Sequence, residues 1–313
     1  MNVELHGAAV SGASAPERAD WVIDQGWERY TPGEHAVWKV LYERQCRMLP
    51  GRACGAFVDG MRALPIACDG IPDFRRLNEA LFRRTRWQVV AVPGLVPDAV
   101  FFDHLANRRF PAGNFLRRAD QLDYLAEPDV FHDVFGHVPM LMHPALADFM
   151  QAYGEGGRRA CALGMLDELA RVYWYTVEFG LVLENGELRI YGAGIASSYR
   201  ESVFALEDAS PHRIGFALER VLRTRYRIDD FQEAYFVLRD LDELLDLARI
   251  DFGPIYERIR GRCAISPGAL QDGDTVIRRG SGAYHLGRKP SSDGGANISG
   301  FENPSGAHPS KAA

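Results

Sequence analysis

The chain has 313 residues, of which 47% are hydrophobic, so it can bury a full core in one large domain or two small ones. A formal net charge of −6 argues against a nucleic-acid partner, which would require a basic face. No apolar run approaches the roughly 20 residues of a membrane span, no signal peptide is recognisable, and the five cysteines form no CxxC pair. These features predict a cytoplasmic protein with free thiols and no membrane partner.

The two ends of the chain have a composition that is typical of disorder. Residues 1–20 are rich in Ala, Gly and Ser, and residues 279–313 in Gly, Ser, Pro and Asn. Residues 21–278 contain no linker and no repeat. The sequence therefore predicts a disordered arm, a single domain and a disordered tail.

Helices are predicted where apolar residues recur at intervals of three and four. In chain order, they cover residues 34–49, 72–84, 98–108, 145–162, 167–179 and 229–246. Short strands are predicted at 87–92, 181–183 and 188–191. The last two flank Asn185-Gly186, a strong signal for a hairpin turn. The pattern predicts a mainly α fold with small β elements.

Two histidines, His132 and His137, are the first candidates for metal chemistry. Five residues on an ideal α-helix correspond to about 140°, so the two side chains would meet only at a helix end or a distortion. Gly136 and Pro139 indicate such a feature, because Gly is conformationally permissive and Pro cannot continue a helix. From chemistry alone, a metal site and two hydrogen-bonded core histidines are both open.

Glu178 lies in an unusually apolar run, LARVYWYTVEFGL at residues 169–181. A carboxylate taken out of water needs a cation, strong hydrogen-bond donors or a metal. Two imidazoles and one carboxylate, with further positions open, form the ligand set of non-heme Fe(II) oxygenases. Considered alone, Glu178 is expected to pair with Arg171 rather than to bind a metal.

Four segments resemble the signatures of the pterin-dependent aromatic amino acid hydroxylases. They are PDVFHDVFGHVP at residues 128–139, the run around Glu178, VPGLVP at 92–97 with Phe101-Phe102, and IYGAGIASS at 190–198. Order and spacing match over roughly residues 27–262, and the likeness is strongest to the short bacterial members. The resemblance implies that family's catalytic-domain fold, a basket of helices around an iron site.

The resemblance implies that Fe(II) is bound by His132, His137 and Glu178. A rival ligand set with His143 is conceivable, but this residue lies between Pro139 and Pro144 and is expected in a surface loop. The cofactor would be tetrahydrobiopterin or a related tetrahydropterin. Its implied binding residues are Val92, Gly94, Leu95, Val96, Phe101, Asp133 and Tyr173. Phe101 would stack on the pterin ring, with core packing as the alternative.

The resemblance also implies a substrate site. Its residues are Arg117, Trp174, Phe179, Gly194, Ser197 and Ser198. The planar fork of Arg117 suits capture of a carboxylate, although the neighbouring Arg118 makes a shift of one residue possible and a surface position is the alternative. The two aromatic residues would line a ring pocket. One serine would orient a ligand histidine, unless the pair only forms a turn.

The implied reaction is hydroxylation of L-phenylalanine to L-tyrosine with O₂, and tryptophan and tyrosine hydroxylases of the same family are alternatives. No side-chain general base is expected. A zinc hydrolase is disfavoured, because its two histidines are four residues apart rather than five. An inactive helical binding protein and a 2-oxoglutarate oxygenase, which would have a His-x-Asp order on a β-barrel, are also less consistent with the chain. With no apolar heptads in the tail, a monomer is expected.

Overall fold

The structure is a computed structural model that describes residues 18–123 and 127–286. Most of the predicted arm and most of the predicted tail therefore lie outside the described residues. No helix in these two ranges is both long and apolar enough to cross a membrane.

Helices make up most of the regular structure in the described part of the chain. The α-helices are Pro32–Met48 (α1), Gly55–Ala63 (α2), Phe74–Thr85 (α3), Asp98–Ala106 (α4), Val138–Leu141 (α5), Pro144–Leu163 (α6), Leu166–Tyr173 (α7), Ala193–Ala196 (α8), Tyr199–Glu207 (α9), Leu218–Leu222 (α10), Glu243–Arg249 (α11) and Gly253–Ile259 (α12). Two π-helices cover His132–His137 and Trp174–Glu178, and 3₁₀ turns cover Trp27–Arg29 and Ala119–Gln121. The helices predicted at 34–49, 72–84, 98–108 and 145–162 are confirmed to within two residues at each end.

Helix α1 begins at a capping box. Thr31 caps its first turn in a reciprocal pair with Glu34, and Pro32 occupies the first helical position, where its missing N–H costs nothing. One face of the helix then buries Trp38 and Leu41 completely.

The strands form two small sheets. They are Gln88–Val92 (β1), Arg109–Gly113 (β2), Leu181–Glu184 (β3), Glu187–Ile190 (β4), His212–Gly215 (β5), Ala234–Leu238 (β6) and Val276–Arg278 (β7). Strands β1 and β2 pair in parallel, and the other five follow the order β4-β3-β6-β5-β7. The predicted hairpin is confirmed: Asn185 and Gly186 have φ values of 55° and 81°, as a primed turn requires.

The helix predicted at residues 229–246 is wrong. Ala234–Leu238 is a central strand, and a helix begins only at Glu243. All five strand residues are buried, because β6 lies between β3 and β5 inside the larger sheet. A short apolar run that is buried on both faces has no period of two, so its pattern cannot be told from that of a buried helix.

The core also anchors the first π-helix. Phe131 and Phe135 stack at 4.8 Å between ring centroids, and Phe131 meets Trp38 of α1 edge-on at 5.2 Å. Both phenylalanines are fully buried. The intervening His132 is thereby held on the opposite, cavity side of the same segment.

Candidate metal centre and its cavity

The first π-helix brings the two predicted histidines together. Hydrogen bonds from residue i to i+5 define this geometry, so side chains five positions apart lie on one face. The Nε2 atoms of His132 and His137 are 3.1 Å apart, and the rings meet at 83°. The distortion that their spacing demands is thus a π-helix.

Glu178 ends the second π-helix and faces both imidazoles. Its Oε1 lies 3.1 Å from Nε2 of His137 and its Oε2 lies 3.5 Å from Nε2 of His132. Arg171, the other partner considered from the sequence, is directed elsewhere and donates to the carbonyl oxygen of Leu222 at 2.8 Å. Within the described ranges, these three residues are the only group of His, Cys, Asp or Glu side chains that could hold a metal ion.

Two glycines allow the segments around the cluster to approach one another. A Cβ on Gly136 would lie 2.9 Å from the carbonyl oxygen of Ala193 in α8, and one on Gly192 would lie 2.4 Å from that of Glu178. Both contacts are with backbone atoms, which cannot rotate away. The close packing of the π-helices against α8 therefore requires glycine at these two positions.

Ser197 fixes the ring of His132. The serine hydroxyl donates to the carbonyl oxygen of Ala193 at 2.8 Å, so its oxygen is left to accept from Nδ1 of His132 at 2.9 Å. With the proton on Nδ1, the lone pair of Nε2 points to the centre of the cluster. This is the arrangement in which an outer hydrogen bond orients a metal-binding histidine.

The electrostatics suit a cation. Burial opposes the charged form of Glu178, but the adjacent imidazoles of His137 and His132 outweigh it and lower the pKa of the carboxyl below its usual range. A buried carboxylate between two Nε2 atoms, with all three ligand atoms within 4.8 Å of one another, fits the chemistry of Fe(II) with further positions open. His143 lies outside the cluster, at the N-terminal cap of α6.

A cavity opens beside the cluster on the side of β1 and β2. Its wall includes all seven residues predicted for the pterin: Val92, Gly94, Leu95, Val96, Phe101, Asp133 and Tyr173. The rings of Phe101 and Tyr173 are 5.9 Å apart, nearly perpendicular. Phe101 is only partly buried, whereas the adjacent Phe102 packs in the core. Part of the Phe101 side chain therefore faces the cavity.

Asp133 connects this cavity to β2. Its Oδ2 accepts from the backbone N–H of Gly113 at 2.7 Å, and burial raises the pKa of its carboxyl to about 7. Gly113 itself lines the cavity, as do Phe110 and Pro111. The sequence pattern did not predict β2, because Pro111 argues against a strand. Strand β2 is an edge of its two-stranded sheet, where a proline is tolerated.

Arg117 and Arg118 have different surroundings. The side chain of Arg117 is 9% exposed and forms a two-pronged ion pair with Asp129, with Nε to Oδ2 at 2.8 Å and Nη2 to Oδ1 at 2.9 Å. Arg118 is 78% exposed and pairs with Asp120. Asp129 also accepts from the backbone N–H of His132 at 3.0 Å. Asp129 thus connects the arginine to the first π-helix. This role could not be read from the sequence, because an acid before a helix is usually only a cap.

The remaining predicted substrate residues do not line this cavity. The rings of Trp174 and Phe179 are 4.8 Å apart, and a Cβ on Gly194 would lie 3.0 Å from the ring of Phe179. Ser198 accepts from the backbone N–H of Glu201 and caps α9. The two serines thus differ: one contacts a histidine and the other begins a helix.

The chain is similar to known proteins over most of its length. A family model for biopterin-dependent aromatic amino acid hydroxylases matches residues 27–250. A Caulobacter vibrioides protein named phenylalanine-4-hydroxylase is 61% identical over 281 residues, which cover 90% of this chain and 96% of the relative. The iron- and phenylalanine-bound structure of Chromobacterium violaceum phenylalanine hydroxylase has a TM-score of 0.79 at 50% identity, covering 83% and 94% of the two chains. The structure of that enzyme with iron(III) and oxidised cofactor 7,8-dihydrobiopterin has a TM-score of 0.80 at 52% identity, covering 82% and 93%.

Proposed function

The chain belongs to the biopterin-dependent aromatic amino acid hydroxylases, and we propose that it hydroxylates L-phenylalanine to L-tyrosine with O₂, Fe(II) and a tetrahydropterin. The observation that carries the proposal is the cluster of His132, His137 and Glu178 at the end of a cavity that also contains Phe101. The similar Chromobacterium violaceum enzyme has been solved with iron and phenylalanine and with iron and a dihydrobiopterin. These are the ligands that such a centre would take.

When bound, iron and the tetrahydropterin together supply O₂ activation and the two reducing electrons, which no side chain can provide. The side chains of the protein contribute by holding the metal and the reactants in position. The lone pairs of His132 and His137 and the carboxylate of Glu178 would hold the metal from one side, which leaves its other side open. The buried aromatic surroundings, with Phe110 4.9 Å from the ring of His137, would exclude water from the open side.

The cofactor would occupy the cavity beside β1. Phe101 offers a partly exposed ring for stacking, and residues 94–96 offer backbone groups at the edge of the same cavity. The side chain of Glu127 helps to hold this loop, because its Oε1 accepts a hydrogen bond from the backbone N–H of Leu95 at 3.3 Å. Asp133 and Tyr173 would complete the wall between the pterin and the metal.

The substrate's carboxylate would be bound by Arg117. Of the five N–H groups of this guanidinium, two are engaged by Asp129 and one donates to the carbonyl oxygen of Leu122 at 3.4 Å. The described residues leave two for a ligand, which is the number a carboxylate requires for a two-pronged contact. Trp174 and Phe179 would hold the ring, and Gly194, Ser197 and Ser198 would lie near the amino-acid end.

Four further predictions belong to this proposal. The helices form a basket around the iron, residues 21–278 contain the catalytic domain, the protein acts as a monomer, and it is located in the cytoplasm. Gel filtration coupled to light scattering measures the oligomeric state directly.

The deciding experiment is anaerobic loading with Fe(II), followed by O₂ and a tetrahydropterin with phenylalanine, tyrosine or tryptophan in turn. We expect tyrosine to form from phenylalanine in an iron-dependent manner and in preference to the other two hydroxylations. His132→Ala and Glu178→Ala should lose both iron and turnover, whereas His143→Ala should keep both. Full iron occupancy and activity in the first two variants would contradict the assignment of the centre.

A further inference from the structure

Gln232 has a buried side-chain amide with three hydrogen-bond partners. It precedes β6 and is 2% exposed. Its Nε2 donates to the carbonyl oxygens of Arg227 at 2.8 Å and Asp230 at 3.4 Å, and its Oε1 accepts from Nε1 of Trp174 at 2.9 Å. Carbonyl oxygens can only accept and an indole nitrogen can only donate, so one orientation of the amide satisfies all three contacts. Gln232 therefore presents a fixed acceptor to the indole.

Trp174 depends on such contacts for its orientation. It begins the π-helix that ends at Glu178 and is only partly buried, whereas Tyr175 beside it is fully buried. Its ring stacks on Tyr226 at 4.3 Å with 17° between the planes and contacts Phe179 at 4.8 Å and 35°. Stacked rings can slide and rotate with little change in contact, so the directional restraint on the indole is its N–H bond.

This aromatic pair lies next to the metal ligands. A Cβ on Gly194 would lie 3.0 Å from Cζ of Phe179 and 3.1 Å from Oε2 of Glu178, so the ring of Phe179 and the carboxylate border the same small space. The indole contacts the ring of Phe179, so its orientation bears on where that ring lies. The position of Trp174 is thus linked to the shape of the pocket beside Glu178.

We infer that Gln232 is a positioning residue for the aromatic ring of the substrate, which acts by fixing the indole of Trp174. The inference rests on the proposed function. A phenyl ring has no hydrogen-bonding group, so its position relative to the reacting centre is set by the walls of its pocket. Small displacements of the reacting atoms reduce the rate strongly, on the order of a hundredfold for 1 Å. Gln232 reaches neither the substrate nor the metal and acts through another side chain.

The test is a double-mutant cycle in the iron-loaded enzyme, with the variants Gln232→Met and Trp174→Phe. Gln232→Met keeps the length of the side chain but cannot accept from the indole, and Trp174→Phe removes the N–H. For Gln232→Met we expect phenylalanine kcat/KM to fall about tenfold, with less tyrosine formed per tetrahydropterin oxidised and an unchanged pterin KM. In the Trp174→Phe background, the same change should cost less than about twofold, because the bond it removes is already absent.

The control is Gln25→Met. Gln25 is an amide whose Oε1 accepts from the N–H of Phe74 and whose Nε2 donates to the carbonyl oxygen of Pro72, both at 2.9 Å, at the beginning of α3. Its loss should lower the Tm and leave phenylalanine kcat/KM and the yield of tyrosine per pterin unchanged. Both amides lose backbone hydrogen bonds, so a purely structural role of Gln232 would give the same result as this control.

The outcomes separate the inference from the proposed function. Wild-type protein that forms no tyrosine overturns both. If the wild type is active but Gln232→Met changes only the Tm, the inference alone is overturned. The same holds if the effects of Gln232→Met and Trp174→Phe on phenylalanine kcat/KM multiply. If Gln232→Met does not fold, Trp174→Phe takes over the test: a wild-type yield of tyrosine per pterin in this variant shows that the indole N–H positions nothing.

Discussion

His132 and His137 lie on one face of their segment although five residues separate them, because the backbone between them forms a π-helix. Their Nε2 atoms approach to 3.1 Å. An α-helix would turn the second ring about 140° away from the first. The π-helix is therefore a requirement of the ligand spacing, and its packing against α8 depends on Gly136.

The first prediction is that Gly136→Ala weakens metal binding. The new Cβ would lie 2.9 Å from the carbonyl oxygen of Ala193, so the π-helix and α8 must separate. An overpacked core costs about 1–3 kcal/mol, and we expect metal affinity to fall on the order of tenfold or more. Iron per chain after gel filtration measures the effect.

The matched control for this substitution is Gly156→Ala in α6. A Cβ there meets nothing within 4 Å. Alanine in a helix is about 0.5–1 kcal/mol more favourable than glycine, so this variant should be as stable as wild type or more so and should keep its iron. Equal iron retention in both variants would refute the packing argument.

The second prediction concerns the substrate's carboxylate. Arg117→Ala should lower phenylalanine kcat/KM by at least about tenfold, because a charge-assisted bond contributes on the order of 1.5–3 kcal/mol. Arg117→Lys should already impair turnover, since a point charge replaces a planar fork. Arg118→Ala, at an exposed position, should be nearly silent. The reverse pattern, with Arg118 essential and Arg117 dispensable, would move the carboxylate site by one residue.

The third prediction is that Phe101→Ala raises the pterin KM more than the phenylalanine KM. The ring of Phe101 lines the cavity and is partly buried, so its removal takes away a stacking surface and leaves the core intact. Phe102→Ala is the comparison, because its fully packed ring should affect stability instead. An unchanged pterin KM in the Phe101 variant would assign that residue to packing alone.

The sequence predicted those features that can be recognised within one short segment, such as an unusual residue type or a helical spacing of apolar residues. Glu178 stood out because an acid in an apolar run needs a partner, and α1 stood out because its apolar residues recur at helical spacing. The π-helices could not be predicted, because no residue type encodes i to i+5 bonding. Only the spacing of His132 and His137, with Gly136 between them, indicated a distortion.

Non-local contacts explain the remaining errors. Strand β6 appears helical in isolation, and only its position between β3 and β5 makes it a strand. Asp129 and Gln232 are polar residues whose roles depend on partners 12 and 58 positions away, Arg117 and Trp174. Such pairings arise from the tertiary fold and have no signature in the local pattern.

The fourth prediction concerns the C-terminal boundary of the domain. Tyr284 packs against Phe204 and Phe231 at 5.1 and 5.3 Å and donates to Oδ1 of Asp230 at 3.0 Å. The boundary predicted at residue 278 would remove these contacts. Tyr284 is partly buried, so these contacts contribute at most about 1.5–3 kcal/mol, the value for a fully buried large side chain. We therefore expect a chain of residues 18–278 to melt roughly 5 °C below one of residues 18–286. Equal Tm values would support a domain boundary at residue 278.

The last prediction concerns Glu201, whose carboxyl is buried at the contact between α9 and β6. Burial raises its pKa to about 7 and exceeds the effect of the hydrogen bonds from Tyr235 and the backbone of Gln232; nearby Asp230 raises the pKa further and Arg200 lowers it. A carboxyl whose pKa is higher in the folded chain than in the unfolded chain favours folding while it is protonated.

Between pH 4.5, the ordinary pKa of a glutamate, and about pH 7, the folded state binds the Glu201 proton and the unfolded state releases it. The free energy of unfolding should therefore fall by up to about 1.4 kcal/mol per pH unit as the pH rises through this window. Glu201→Gln cannot titrate but still accepts from Tyr235, so its stability should decline less than that of wild type. The measurement is the Tm of both proteins at pH 5, 6, 7 and 8, with the variant gaining on wild type at each step up to about pH 7. Parallel Tm profiles would mean that Glu201 titrates outside this window.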